Sequence, residues 1–233
     1  MSISKLIERL KRKLFFSIGR AGMDLYAEPP GTEFEKANNF SAHLGGSAGN
    51  IAVALAKLDC EVELVTCFSD DAVGRFASSR LHEFGVGTSH CRIVGGEARN
   101  TLAVIETRLT DCQSIIYRNG AVDFEMNSKD VSMLNYKGTG GVIVSGTALA
   151  KEPSRSAIFN VIEHARRAQT PIIIDMDYRP YSWESPEEAK LVYSSAISQC
   201  DIVIGNDVEF GVVAGNQIEG LNYATQLVTK TPE

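Results

Sequence analysis

The stretch His43-Leu44-Gly45-Gly46-Ser47-Ala48-Gly49-Asn50 runs directly into Ile51-Ala52-Val53-Ala54-Leu55-Ala56-Lys57-Leu58, and its reading decides how the rest of the chain is understood. Adjacent glycines remove the Cβ atoms that keep a backbone away from a ligand, and they allow dihedrals that other residues resist. The apolar periodicity that follows predicts a helix, whose first turn carries free N–H donors and a partial positive charge. Such an end can hold an oxygen-rich ligand. A tight loop before a buried helix uses the same letters, and the glycines alone leave that reading open.

Upstream, Leu14 to Gly19 has strand character and breaks at Gly19 to Gly22, before Asp24. Ligands of open parallel sheets gather beyond the carboxyl ends of strands. Asp24 therefore stands either where a carboxylate accepts from ligand hydroxyls or where an Asp forms a turn. Tyr26 to Ser41 is turn-rich, with Pro29-Pro30-Gly31. Downstream, Glu61 to Phe68 reads as a core strand and Asp70 to Phe84 as a helix, with Asp70 and Asp71 as first-turn caps and Gly85 as its stop. Asn100 to Arg108 and Ser114 to Arg118 are β-rich runs around a polar turn, Leu109 to Gln113, the composition of a hairpin.

From Gly141 onward strands and helices alternate: Gly141 to Ser145, Ser154 to Gln169, Pro171 to Asp175, Pro186 to Gln199, Asp201 to Gly205. Ile172-Ile173-Ile174 and Ile202-Val203-Ile204 are continuous apolar runs, which predicts an α/β architecture with a parallel sheet covered on both faces. Asp175, Asp177 and Arg179 recur at steps of two, on one side of an extended segment, a pattern that suits a salt-bridged turn ending in Pro180 as well as a site. Asn206 and Glu209 have the spacing of a capping box. Neither the dinucleotide fingerprint G-x-G-x-x-G after the first strand nor G-x-x-x-x-G-K-[ST] is present.

With 233 residues, 44% hydrophobic and 22% charged, the chain can bury one substantial core. A net charge of −6 leaves no broad cationic surface for nucleic acid. No apolar run has the length of a membrane span. Cys60, Cys67, Cys91, Cys112 and Cys200 are scattered without a C-x-x-C pair, which fits reduced thiols and a cytoplasmic location. His43, His82, His90 and His164 lack ligand spacing, which argues against a metal–histidine site. Met1 to Lys13 reads as a basic amphipathic lead-in helix.

Gly19-Arg20-Ala21-Gly22-Met23-Asp24, Gly45-Gly46-Ser47-Ala48-Gly49-Asn50 and Asn206-Asp207-Val208-Glu209 resemble, in order, three markers of the ribokinase-like (PfkB) carbohydrate kinases. Tyr117-Arg118-Asn119-Gly120-Ala121-Val122-Asp123, Val144-Ser145-Gly146-Thr147-Ala148-Leu149-Ala150-Lys151 and Asp175-Met176-Asp177-Tyr178-Arg179-Pro180-Tyr181-Ser182-Trp183 resemble one branch of that family. That branch phosphorylates the sugar acid 5-dehydro-2-deoxygluconate at its 6-hydroxyl in myo-inositol catabolism.

The resemblance implies a ribokinase-like domain over 15–233: a mainly parallel sheet between helices, with a small β lid formed by segments at about 24–42 and about 97–124. Residues 1–14 precede it. By the same resemblance Asp24 and Asn50 bind sugar hydroxyls, and Gly45 and Gly46 give close backbone approach. Tyr117 and Arg118 meet ring-side hydroxyls and the carboxylate, which suits the planar fork of arginine. Arg179 reaches the transferred phosphate or the carboxylate. Asn206 and Glu209 organise phosphate and magnesium-bound water, Glu209 meeting the metal through water. Ser47 replaces a lysine found in some members, which points to a different substrate. The implied cofactors are ATP and magnesium; the implied partners are a small sugar acid and a second copy through the lid, not nucleic acid or membrane.

One departure is large. The family's glycine-rich turn, whose Asp is the general base and whose amides form an anion hole, occurs nowhere in these residues. The expectation is an N-terminal portion of the fold, with that Asp beyond Glu233 and no phosphoryl transfer by this chain alone. The competing readings are a 2-keto-3-deoxygluconate or other sugar kinase and, in another class, a non-catalytic sugar-acid binding or dimerisation module.

Overall fold

The structure, a computed structural model, describes residues 2–107 and 112–229. In chain order its elements are α1 (Ile3–Leu10), β1 (Leu14–Ile18), β2 (Gly22–Glu28), β3 (Asn39–Gly45), α2 (Ser47–Lys57), β4 (Glu61–Ser69), α3 (Ala72–Glu83) and β5 (Gly87–Val94). Then come β6 (Leu102–Thr107), β7 (Cys112–Tyr117), α4 (Ser128–Ser132), β8 (Gly141–Ser145), α5 (Ser154–Ala168), β9 (Ile172–Asp175), α6 (Pro186–Ile197), β10 (Ile202–Ile204), α7 (Asp207–Ala214) and α8 (Gln217–Thr229).

Strand alternation sorts the core. Phe16 and Ile18 of β1 pack with Val142, Val144, Ile172 and Ile174 against Ile158, Val161 and Ile162 of α5 and Tyr193 of α6. Leu64 and Phe68 face the other way, onto Ala52 of α2 and Leu81 of α3. The apolar side chains of α5 recur three and four apart and all lie on its sheet-facing stripe. Burying each of these Ile and Val side chains contributes about 1.5–3 kcal/mol. The result is a parallel sheet in the order β10-β9-β8-β1-β4-β5, with helices on both faces.

Several expectations need correction. The run Ile202 to Ile204 is not covered on both faces: β10 is an edge strand, and Ile204 is 53% exposed. The helix expected over Asp70 to Phe84 starts at Ala72. Asp71 caps it, accepting from Val73 N at 2.9 Å and Gly74 N at 3.0 Å, whereas the Asp70 N–H joins the sheet edge by donating to Val94 O. The helices α4 and α8 and the strand β5 carried no expectation.

Where the resemblance places the lid, the structure has a second sheet, β3-β2-β6-β7, in which β2 pairs antiparallel with β3 and parallel with β6. The turn-rich stretch from Tyr26 holds the ends of two strands, and the lid strands begin at Gly22 and run to Gly45, beyond the expected 24–42. The expected window 97–124 contains β6 and β7; residues 109–111 of its polar turn lie outside the described residues. Asn100 ties the lid base to the domain, donating to Ala21 O at 2.9 Å and accepting from Ser69 N at 2.7 Å. Residues of α1 contribute nothing buried.

Candidate functional site

In the main sheet β1 lies between β4 and β8, so its carboxyl end is a topological switch point, where open α/β sheets leave a crevice for ligands. β3 runs into α2 here with only Gly46 between them, at φ 93°. A Cβ at Gly46 would overlap the carbonyl oxygen of Arg20, and one at Gly45 would overlap the Asp24 carboxylate. The close approach that the resemblance assigned to a ligand is thus made, at both glycines, by the protein itself. Asp24 sits within β2, not in a turn, and its carboxylate lies over this junction. Burial raises its pKa, against the charges of Arg20 and His43. Asn50 is exposed in the first turn of α2. Ser47 Oγ lies 2.7 Å from Ser145 Oγ, which lies 2.8 Å from Thr147 Oγ1, linking α2 to the end of β8.

Arg118 and Tyr117 stand in different environments. Tyr117 is 60% exposed on the lid's edge strand β7. Arg118 is buried at 7%, pairs with Asp123, and donates to Ser182 Oγ at 3.4 Å and Thr147 O at 3.3 Å. Its guanidinium lies 4.1 Å from the centroid of the Phe124 ring. The strand-end cation expected at the substrate is therefore already committed to an internal carboxylate.

Past β9, the expected one-sided series Asp175, Asp177, Arg179 is broken, because Asp177 takes the left-handed conformation at φ 38°. Asp177 is buried; Oδ1 pairs with Arg179 at 2.5 Å while Oδ2 has no partner among the described residues. Asp175 is half-buried, and its carboxyl is pushed up to about 6 by burial first and then by Asp177 and Glu209. Asn206 and Glu209 form the capping box: Glu209 N donates to Asn206 Oδ1 at 2.9 Å and Asn206 N to Glu209 Oε2 at 2.8 Å. Tyr178 N donates to Glu209 Oε1 at 2.9 Å, tying α7 to the segment after β9.

Both Glu209 oxygens thus accept from backbone N–H groups. No group of three His, Cys, Asp or Glu side chains arranged to hold a metal occurs among the described residues. This donor set does not fit a directly ligated magnesium ion.

Two residues of the candidate site escaped the sequence reading, Arg20 and Asp123. Arg20 follows Gly19, which is at φ 142°, and is only 6% exposed. Burial lowers its pKa, as does the nearby Arg118. A charged residue set between glycines directly after an apolar strand was the available signal.

The chain that folds into this parallel sheet with its second, four-stranded sheet matches, over residues 12–232, the description "pfkB family carbohydrate kinase". The chain belongs to that family. It is 38% identical over 196 residues to the 5-dehydro-2-deoxygluconokinase of Photobacterium profundum and 35% identical over 200 residues to that of Geobacillus kaustophilus. These alignments cover 84% and 85% of this chain but 59% and 60% of the relatives, so the chain spans about three-fifths of their length. A PfkB protein from Polaromonas superposes with a TM-score of 0.82 at 20% identity, over 93% of this chain and 74% of that one. A fructokinase with bound ATP from Xylella fastidiosa superposes at 0.79 and 20% identity, over 92% and 69%. At that identity these two share the fold. No helix among the described residues is long and apolar enough to cross a membrane.

Proposed function

We propose that the chain forms the sugar-acid-binding part of an ATP-dependent kinase that phosphorylates 5-dehydro-2-deoxygluconate on its 6-hydroxyl in myo-inositol catabolism. The observation that carries this reading is the Asp24 carboxylate over the Gly45–Gly46 junction, beside buried guanidinium groups at the switch point. A carboxylate accepts from sugar hydroxyls and guanidinium groups attract an acid, so one ligand bearing both satisfies the site. Asn50, exposed beside it, supplies a further hydroxyl partner, and the lid limits access of water. Asn206 and Glu209, committed to their cap, reach magnesium only through water. ATP supplies the phosphoryl group; Arg179, paired with Asp177, stands as the cation toward it.

These residues contain no glycine-rich turn ending in Asp, so the activity proposed for residues 1–233 is sugar-acid binding without turnover. Isothermal calorimetry and a coupled ATP assay on this chain test both parts. The expected result is sugar-acid binding with no ADP formed. Turnover would overturn the second part, and tighter binding of 2-keto-3-deoxygluconate or a neutral hexose would overturn the substrate. A second reading, a dimerisation module, is favoured by the exposed Ile115 and Tyr117 on β7, and sedimentation distinguishes it.

A further inference from the structure

Buried charges in folded proteins are paired, because a guanidinium taken out of water needs either a counter-ion or hydrogen-bond acceptors. Arg118 has Asp123, and Arg179 has Asp177. Arg20 is as deeply buried as Arg118 yet makes neither an ion pair nor a hydrogen bond through its side chain among the described residues. Its Nε is enclosed without an acceptor. Asp123, Asp177 and Asp24 are near enough to favour its charge, and Arg118 near enough to oppose it. The backbone at Arg20 is pinned: its carbonyl accepts from Gly49 N at 3.2 Å and lies where a Cβ of residue 46 would go. The side chain therefore cannot leave by a backbone shift without breaking the junction.

Two further enclosed polar atoms near it lack partners among the described residues, Arg118 Nε and Asp177 Oδ2. With Arg20 Nε they make three such atoms from three separate segments, after β1, after β7 and after β9. Two of the three are donors and one is an acceptor, which is the complement of a hydroxy acid.

We infer that Arg20 receives the carboxylate of the ligand and sets the preference for an acid over the matching neutral sugar. Arg118, fixed by Asp123, is the second cation beside that carboxylate, and Asp177 Oδ2 accepts from a hydroxyl of the same molecule. The inference rests on the sugar-acid reading above. It differs from the expectation drawn from the resemblance, which gave the carboxylate to Arg118, with Arg179 reaching either it or the phosphate.

The test compares 5-dehydro-2-deoxygluconate with its primary amide, which keeps the hydroxyls and loses the charge, by calorimetry on residues 1–233. The wild-type chain is expected to prefer the acid by about 30-fold or more, the scale of a charge-assisted bond. Arg20→Met should weaken the acid about 30- to 100-fold, change the amide less than about threefold, and so abolish the preference. Arg20→Lys should restore only part of it, since a point charge lacks the fork. Without ligand, Arg20→Met should melt no lower than wild type, whereas Arg118→Met melts lower. If Arg20→Met does not fold, Arg20→Gln and Arg20→Lys carry the same comparison. An unchanged acid-to-amide ratio in the Arg20 variants, or an Arg20→Met chain that melts as low as Arg118→Met, overturns the role of Arg20 and leaves the sugar-acid reading standing. A wild-type chain that binds neither compound overturns that reading, and this inference with it.

Discussion

The carboxylate of Asp24 occupies the space that a side chain at residue 45 would need. In the β2–β3 ladder Asp24 faces His43 and Gly22 faces Gly45, so Gly45 is the diagonal neighbour of Asp24. Glycine at 45 thus lets Asp24 turn toward the crevice.

Gly45→Ala should therefore destabilise the chain by about 1–3 kcal/mol, the usual cost of overpacking, and weaken sugar-acid binding by displacing Asp24. In Gly45→Ala/Asp24→Ala the overlap is gone, so stability should recover while binding does not. Thermal melts and calorimetry on the double-mutant cycle read the two effects separately. A stability loss that persists in the double variant would show that the backbone, not the carboxylate, excludes the side chain.

Arg118→Met leaves Asp123 buried without its cation, a change that typically costs about 3–5 kcal/mol. Asp123→Asn added to it removes the stranded charge and should restore a large part of that loss. Urea unfolding of the two variants checks this. If the single variant is as stable as wild type, the pair holds nothing together.

Glu209→Gln keeps the shape of the cap but has one acceptor oxygen for two backbone donors, Asn206 N and Tyr178 N. The expected loss is about 1–2 kcal/mol, one cap bond or one buried hydrogen bond. Hydrogen exchange should quicken at one of those two amides, with α5 unaffected. Equal protection at both amides in the variant would count against the double role of Glu209.

Asp175 gives a pH dependence with a definite sign. Its folded pKa lies near 6, above the ordinary 3.8, so it favours the fold below about pH 4 and that contribution is lost as pH rises through 6. Asp175→Asn removes the ionisation. It should raise the melting temperature by about 2–4 °C at pH 8, or about 1 kcal/mol once solvent screening of a half-buried group is allowed for, and by almost nothing near pH 4. A gain that is the same at both pH values would point to packing instead.

Much of the fold was legible because its signals are local. The capping box of Asn206 and Glu209 closes within four residues, the stripe on α5 repeats every turn, and the run Leu14–Ile18 is apolar at four of its five positions and almost wholly buried. The boundary errors have local causes too: Asp71, not Asp70, faces the first free amides of α3, and the lid strands carry too few apolar letters to mark their ends. The exposure of Ile204 was not legible, since an edge strand and a central strand can share one apolar sequence.

By itself the sequence determined the alternation of strands and helices, the glycine junction between β3 and α2, and the family to which those elements belong. A salt-bridged Asp177–Arg179 turn was legible, but only the tertiary structure decided that Asp123 neutralises a buried Arg118 and that Arg20 is buried with no ion pair among the described residues. Periodicity, caps and turns depend on neighbours a few residues away. The balance of buried charge depends on crossovers that carry residues 20, 118 and 177 to one edge of the sheet, and no local pattern records which of them arrives with a partner.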